Sequence, residues 1–199
     1  KIPANDSGSG GIVMSLPIIS ADQRLAEKRC AKIALIGVPG SGKSSIAKHL
    51  QDKLGVSFKL YDLDQRGVPD NVDISWRANE TKYWEGRGEE NAKQGIGTVV
   101  LGFTLPEEAR KSSQFILLDL NAEALSKRLE TRYEKPSEVQ ELKRMTGQTP
   151  EQSIESQISA LPWLRGKCQV ANSYIIDTSD LDIEQIAQQV SEYIKTITE

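Results

Sequence analysis

One stretch near the start of the chain constrains the fold more than any other feature. Residues 37–44 read GVPGSGKS and fit the pattern G-x-x-x-x-G-K-[ST] without a mismatch. The stretch follows a nearly continuous apolar run at 31–38 and precedes a helical pattern over 43–54 that Gly55 is suited to end. A short apolar run of this kind predicts a strand buried on both faces, as in a parallel sheet whose strands are connected by helices.

The composition of this stretch suits it to hold phosphate groups. Its glycines let the backbone curl so that successive N–H groups point into one concave nest, and the N-terminus of the following helix adds partial positive charge. Lys43 can reach the β- and γ-phosphates of a nucleotide, and the Ser44 hydroxyl can ligate Mg²⁺. We therefore predict a nucleoside triphosphate site formed by Gly37, Pro39, Gly40, Ser41, Gly42, Lys43, Ser44 and Ser45.

The rest of the chain alternates further apolar runs with helical patterns. Strands are predicted over 57–63, 97–103, 114–120 and 173–178, and helices over 122–133 and from 183 to 197, with one or two amphipathic helices between 64 and 94. Short strands separated by helices favour an α/β fold, with a five-stranded parallel sheet, helices on both faces and right-handed crossovers. The expected architecture is a three-layer sandwich.

Two segments are set apart from this core. Residues 1–20 are interpreted as a flexible leader, either native or introduced by cloning, and 21–199 as the folded domain. Residues 134–157 are charged and rich in Gln and Ser, and are interpreted as a mobile insert outside the core. Trp163, which follows this segment, is expected in the core.

Composition excludes several classes of function. The 199 residues carry a net charge of −3, which argues against a generic nucleic-acid-binding protein. A single histidine, His49, excludes His-rich metal chemistry, and its expected role is structural. Two distant cysteines, Cys30 and Cys168, form neither a disulfide framework nor a metal cluster, which favours a reduced, cytoplasmic protein. No apolar run reaches about 18 residues, so no membrane span is predicted.

Two carboxylates follow the second predicted strand. Asp62 and Asp64 are two positions apart, so on an extended strand they share one face. Ligands bind at the carboxyl ends of the strands in this type of sheet. One carboxylate can hold the Mg²⁺ water shell, and the other can accept the proton of an attacking hydroxyl. The alternative is a pair of solvated aspartates with no role.

Other classes of triphosphate-binding protein fit the sequence less well. A Ras-like GTPase needs a guanine-reading N-K-x-D motif, which the chain lacks, although residues 64–67 match the short D-x-x-G signal. A helicase or AAA+ motor needs an acidic pair for water activation. The fourth strand instead carries Asp119 with no second acid beside it, so a motor is not favoured.

Beyond these motifs, the chain resembles the small P-loop kinases, the group that includes shikimate kinase, gluconate kinase and the nucleoside monophosphate kinases. The resemblance covers roughly residues 31–199. It rests on GVPGSGKSS at 37–45, LGVSFKLYDLD at 54–64, Gly102 after the third strand, LETR at 129–132 and IDTSDLDIEQIAQQV at 176–190. It implies the strand order 2-3-1-4-5, acceptor-side helices at about 65–95 and a mobile lid at about 132–155.

The resemblance also implies roles for individual residues. Asp64 corresponds to the aspartate that orients or deprotonates the acceptor, and Asp62 to the aspartate on the Mg²⁺ side. Arg128 and Arg132 occupy the positions of lid arginines, which stabilise charge on the transferring phosphoryl group; the alternative is a solvated helix face paired with neighbouring glutamates. The residues predicted as catalytic are thus Lys43, Asp64, Arg128 and Arg132, and Ser44 and Asp62 are the predicted metal ligands. Gly102, Phe103 and Thr104 would form the floor of the acceptor pocket, and Trp76 and Trp84 either cap that pocket or pack their helix on the sheet.

The leading hypothesis is an ATP-dependent kinase of small molecules, using Mg²⁺ and transferring the γ-phosphoryl group to a hydroxyl or phosphate. GTP is an alternative donor, and the oligomeric state stays open. Three alternatives remain: a 5′-hydroxyl polynucleotide kinase, for which Asp64 and Arg66 are a loose match; a zeta-toxin-like kinase of nucleotide sugars; and a nucleotide-dependent switch without phosphotransfer.

Overall fold

The computed structural model describes residues 30–70, 72–102 and 114–199. The predicted leader, and Phe103 and Thr104 of the predicted acceptor pocket, lie outside these residues. These residues form five strands, namely β1 (Lys32–Ile36), β2 (Phe58–Asp62), β3 (Gly97–Leu101), β4 (Gln114–Asp119) and β5 (Tyr174–Asp177). The helices are α1 (Lys43–Leu54), α2 (Ile74–Lys93), α3 (Ala122–Tyr133), α4 (Pro136–Thr146), α5 (Pro150–Val170) and α6 (Ile183–Thr198).

The strands form one parallel sheet in the order β2-β3-β1-β4-β5. This confirms the predicted fold class and strand order. The first strand occupies the centre of the sheet, which brings its carboxyl end, and the turn that follows it, beside the ends of β3 and β4. That edge is where an open α/β sheet binds its ligands.

Residues of the central strand alternate between two apolar clusters on opposite faces of the sheet. Ile33 and Leu35 pack with α1 and α6, whereas Ala34 and Ile36 pack with α2, α3 and α5. All four side chains are at most 2% exposed. The uninterrupted apolar run is therefore explained by burial on both faces, and the fold is the expected three-layer sandwich.

Two expectations about the C-terminal half differ from the structure. The segment 134–157 forms helices α4 and α5, and although α4 has no buried residue, Ile154 of α5 packs against the core, so the segment does not lie wholly outside it; its mobility stays a prediction. Trp163 is 59% exposed. It lies two residues from the buried Leu161, which in a helix places it about 200° around the axis, on the opposite face.

Among the described residues, no helix is long and apolar enough to cross a membrane.

Candidate active site

The turn between β1 and α1 has the backbone shape of an anion nest. Gly40 and Gly42 have φ angles of 87° and 99°, in the left-handed region that glycine adopts without strain. Gly42 is also the N-cap of α1, and no described side chain caps the helix there. The first N–H groups of α1 therefore remain suited to bind an anion.

Lys43 lies inside this turn. Its Nζ donates hydrogen bonds to the carbonyl oxygens of Gly37 at 2.7 Å and Val38 at 2.9 Å, and to Ser41 Oγ at 3.3 Å. Burial lowers the pKa of Lys43 to about 8, against the opposing effect of the Asp62 and Asp64 carboxylates. The ammonium group thus has little solvent around it and two acidic groups in its neighbourhood.

The loop and the end of β2 are joined by a short hydrogen-bond chain. Ser44 Oγ donates to Asp62 Oδ2 at 2.9 Å, and Asp62 Oδ1 accepts the backbone N–H of Asp64 at 3.0 Å. A hydroxyl and a carboxylate side by side are hard oxygen ligands that suit Mg²⁺. No group of three or more His, Cys, Asp or Glu side chains among the described residues could hold a metal by itself. The pair fits an ion that takes its remaining ligands from phosphates and water, as Mg²⁺ does.

Asp64 differs from its expected placement. The strand ends at Asp62, and Asp64 lies in a 3₁₀ turn over Leu63–Arg66, so the two aspartates do not share a strand face. Burial, and secondarily repulsion from Asp62, raise the pKa of the Asp64 carboxyl, while Arg77 and Lys43 oppose the shift. The carboxyl group is thus close to Lys43 and Arg77 and has a higher proton affinity than a solvated aspartate.

The two predicted lid arginines have different partners. Arg132 Nε donates to Glu138 Oε2 at 2.6 Å, and its charge is one of those that lower the pKa of Lys43, so it lies in the neighbourhood of that ammonium group. Arg128 instead donates to Thr178 Oγ1 at 3.2 Å and to the carbonyl oxygens of Thr178 and Leu181. The structure brings together Lys43, Ser44, Asp62, Asp64 and Arg132, whereas Arg128 contacts the loop between β5 and α6.

Helix α2 contributes a glutamate for which the sequence gives no motif. Glu80 Oε1 accepts a hydrogen bond from Arg66 Nη1 at 3.2 Å, and the Arg66 guanidinium lies 3.9 Å from the ring centroid of Tyr83. The sequence signal that could have pointed to Glu80 is its spacing from Arg77 and Tyr83, because residues three apart share a helix face. Trp84, on the same helix, is 4% exposed and stacks on Tyr61, so it packs α2 against the sheet.

These features define a P-loop nucleotide-binding domain with a carboxylate pair beside the loop. The family model described as an AAA domain matches residues 33–149, more than half of the chain, and the chain belongs to this family. The term AAA in this description refers to the nucleotide-binding domain. The acidic pair of a motor is absent from β4, where Asp119 is followed by Leu120 and forms a salt bridge with Arg165 at 2.7 Å.

Individual proteins similar to this chain include kinases and a protein named as one. A Methanocaldococcus jannaschii protein named "Putative adenylate kinase" is 27% identical over 179 residues, which cover 82% of this chain and 86% of the relative. A gluconokinase from Sinorhizobium meliloti 1021 superposes with a TM-score of 0.55 at 17% identity, covering 84% of this chain and 93% of its own. An unliganded sugar kinase from Janibacter sp. HTCC2649 gives 0.52 at 21% identity, with coverages of 84% and 93%. The resemblance to small P-loop kinases is confirmed.

Proposed function

We propose that the protein is an ATP-dependent kinase that transfers the γ-phosphoryl group to a hydroxyl or phosphate oxygen of a small-molecule acceptor, with GTP as an alternative donor. The observation that carries the proposal is the chain of contacts from Ser44 through Asp62 to Asp64, with Lys43 beside it. A loop that only bound a nucleotide would not need a second carboxylate at this point. The family membership and the name of the Methanocaldococcus relative support the kinase class.

In this proposal each residue has a separate task. The turn N–H groups and Lys43 hold the phosphates, and Lys43 exchanges its contacts with loop carbonyls for contacts with phosphate oxygens. Ser44 and Asp62 would hold Mg²⁺, which supplies positive charge beside the phosphates when bound. Arg132 adds a further positive charge.

Asp64 acts on the acceptor. Its carboxylate accepts the proton of the attacking hydroxyl as the acceptor oxygen bonds to the γ-phosphorus, and the bond to the leaving nucleoside diphosphate breaks. Desolvation, and secondarily repulsion from Asp62, raise the pKa of the Asp64 carboxyl, and the higher proton affinity favours this role. Arg128, which is bound to the β5–α6 loop, is proposed to act on the nucleotide from that side.

A phosphotransfer screen tests the proposal. The protein is mixed with Mg-ATP or Mg-GTP and pools of nucleosides, nucleotides, sugars, shikimate-like acids and a 5′-hydroxyl RNA oligonucleotide, and products are read by mass. Lys43→Ala should abolish the product, and Asp64→Asn should slow transfer about 100-fold or more while nucleotide binding persists.

The exposed Lys48 and Asp52 of α1 supply matched controls, because Lys48→Ala and Asp52→Asn make the same changes outside the site. A product from the RNA oligonucleotide alone would favour the polynucleotide kinase. Intact nucleotide binding with no product from any pool, and no response to Asp64→Asn, would favour the non-catalytic switch.

A further inference from the structure

Helix α4 has little apolar packing to hold it on the domain. None of its eleven residues is buried, and its larger apolar side chains, Val139, Leu142 and Met145, are only half-buried. Helices in proteins draw most of their stability from packing an apolar face against the core. The polar contacts at the two ends of α4 therefore take a larger share in deciding where this helix lies.

The last turn of α4 contacts a loop that is distant in the chain. Residues 67–70, called here the acceptor-side loop, follow the 3₁₀ turn that contains Asp64. Arg144 Nη1 donates hydrogen bonds to the carbonyl oxygen of Val68 at 3.0 Å and to Asp70 Oδ1 at 2.6 Å. The acceptor-side loop and the end of α4 are thus joined directly through one side chain.

Arg144 is held in the orientation that this contact needs. Its Nε donates to Glu141 Oε2 at 3.0 Å and its Nη2 to Glu141 Oε1 at 2.6 Å, one turn earlier on the same helix. This two-point pairing fixes the plane of the guanidinium and leaves Nη1 for the loop. An exposed ion pair usually contributes little, because ordering two long side chains costs entropy. Here Glu141 already orders Arg144, so the contact with Asp70 costs less.

The first turn of α4 contacts Arg132, one of the arginines predicted to be catalytic. Glu138 Oε2 accepts the hydrogen bond from Arg132 Nε at 2.6 Å, and residues 134 and 135 alone separate α4 from the end of α3. Among the described residues, the two Nη groups of Arg132 have no hydrogen-bond partner. Glu138 thus holds the guanidinium by one edge, and its other N–H donors remain for phosphate oxygens.

We infer that α4 couples the acceptor-side loop to Arg132: Arg144 binds the loop at one end of the helix, and Glu138 positions Arg132 at the other. The helix is about 16 Å long and its hydrogen-bonded turns make it one stiff body, so a shift of the loop moves both ends. Arg144 and Glu138 are thus positioning residues, which act on phosphoryl transfer through the Arg132 guanidinium. The inference rests on the proposed function and adds a route by which the acceptor side sets the rate of transfer.

Side-chain NMR tests the coupling without requiring turnover. In the ¹⁵N-labelled full chain, the Arg132 Nε–H signal is the one lost in Arg132→Lys, and its exchange with water reports how often the bond to Glu138 opens. Asp70→Asn and Arg144→Gln weaken the contact at the other end of α4. They should therefore speed this exchange about two- to fivefold.

Steady-state kinetics then tests the consequence, with the acceptor that the phosphotransfer screen identifies. Asp70→Asn and Arg144→Gln should lower kcat about two- to fivefold, while the Kd for Mg-ATP stays unchanged because the phosphate-binding turn is intact. In an Arg132→Gln background the same two changes should have no further effect on kcat, since they act through Arg132. A merely structural role would not show this dependence on Arg132.

The matched controls are Asp52→Asn on α1 and Arg87→Gln on α2, which make the same changes away from α4 and should alter neither the exchange nor kcat. Unchanged exchange in the Asp70 and Arg144 variants, an equal change in the controls, or a fall in kcat that persists in the Arg132→Gln background would each overturn the inference. Faster exchange in a protein that phosphorylates no acceptor would support the coupling and refute the kinase. Phosphoryl transfer with unchanged exchange would do the reverse.

Discussion

The substitution Gly37→Ala tests how closely the phosphate-binding turn packs against the sheet. A Cβ built on Gly37 would lie 2.4 Å from Ser41 Oγ and 2.8 Å from the carbonyl oxygen of Leu118. Ser41 is fully buried, and Leu118 belongs to the neighbouring strand β4. Neither atom is the free end of a flexible side chain, so Gly37→Ala must displace either the turn or the strand.

The size of the effect follows from this overlap. Overpacking a buried position costs about 1–3 kcal/mol. In a chain of this length each kcal/mol lowers the melting temperature by about 2–4 °C, so a fall of about 2–12 °C is expected. Nucleotide affinity should fall too, because the Gly37 carbonyl accepts the 2.7 Å hydrogen bond from Lys43 and the turn cannot move without it.

Thermal unfolding followed by circular dichroism measures the fall in melting temperature, and calorimetric titration with Mg-ATP measures the fall in nucleotide affinity. The matched control is Gly86→Ala, since Gly86 lies within α2 and a Cβ there would have no neighbour within 4 Å. That change should stabilise the protein by about 0.5–1 kcal/mol, because glycine weakens a helix interior. A Gly37→Ala protein that melts at or above the wild-type temperature would refute the reasoning.

Two further predictions concern a pH dependence and a pair of tryptophans. With its pKa lowered to about 8, Lys43 loses its proton above that pH in the nucleotide-free protein, whereas phosphates favour the charged form. Affinity for Mg-ATP should therefore fall about fivefold from pH 8 to pH 9 in calorimetric titrations, and Lys43→Arg should remove this dependence. Because the pKa of Lys43 is lowered in the folded protein, the unfolded chain binds more protons between pH about 8 and 10.5. The free energy of unfolding should therefore increase as the pH rises through this range. Trp84→Ala should cost about 3–5 kcal/mol in denaturant unfolding, since Trp84 is buried, and Trp163→Ala should stay within about 0.5 kcal/mol; equal losses would contradict the burial assigned to the two side chains.

The elements that could be predicted from the sequence are those with strong local signals. Helices α1 and α3 begin and end at the predicted residues, 43–54 and 122–133. Gly55 ends the first with a positive φ angle, and the Asn121 side chain caps the second by accepting the N–H of Ala124. The strand order came from the resemblance to a family, because nothing in a short apolar run states which strand it will pair with.

Helix α5 shows why the exposure of Trp163 was missed. No helix was predicted over 150–170, so the helical spacing of Ile154, Ile158, Leu161 and Cys168, which pack in one cluster, was not used to separate Leu161, which is 4% exposed, from Trp163, which is 59% exposed. A different limit applied to the arginines of α3. Arg128 and Arg132 are four residues apart and share a helix face, but their long side chains reach different partners, Thr178 and Glu138.

The division of roles proposed for the two aspartates follows from where β2 ends. Asp62 is the last residue of the strand and caps the 3₁₀ turn, so one of its oxygens accepts the N–H of Asp64 and the other accepts the Ser44 hydroxyl. With both oxygens engaged, Asp62 is tied to the loop side of the site and is a poor base for an acceptor proton. The turn carries Asp64 away from the strand face that the i, i+2 spacing predicted and into the neighbourhood of Arg77, where burial raises its proton affinity. A strand two residues longer would have placed both carboxylates on one face, and the proposed separation between a metal-side acid and an acceptor-side base would have been lost.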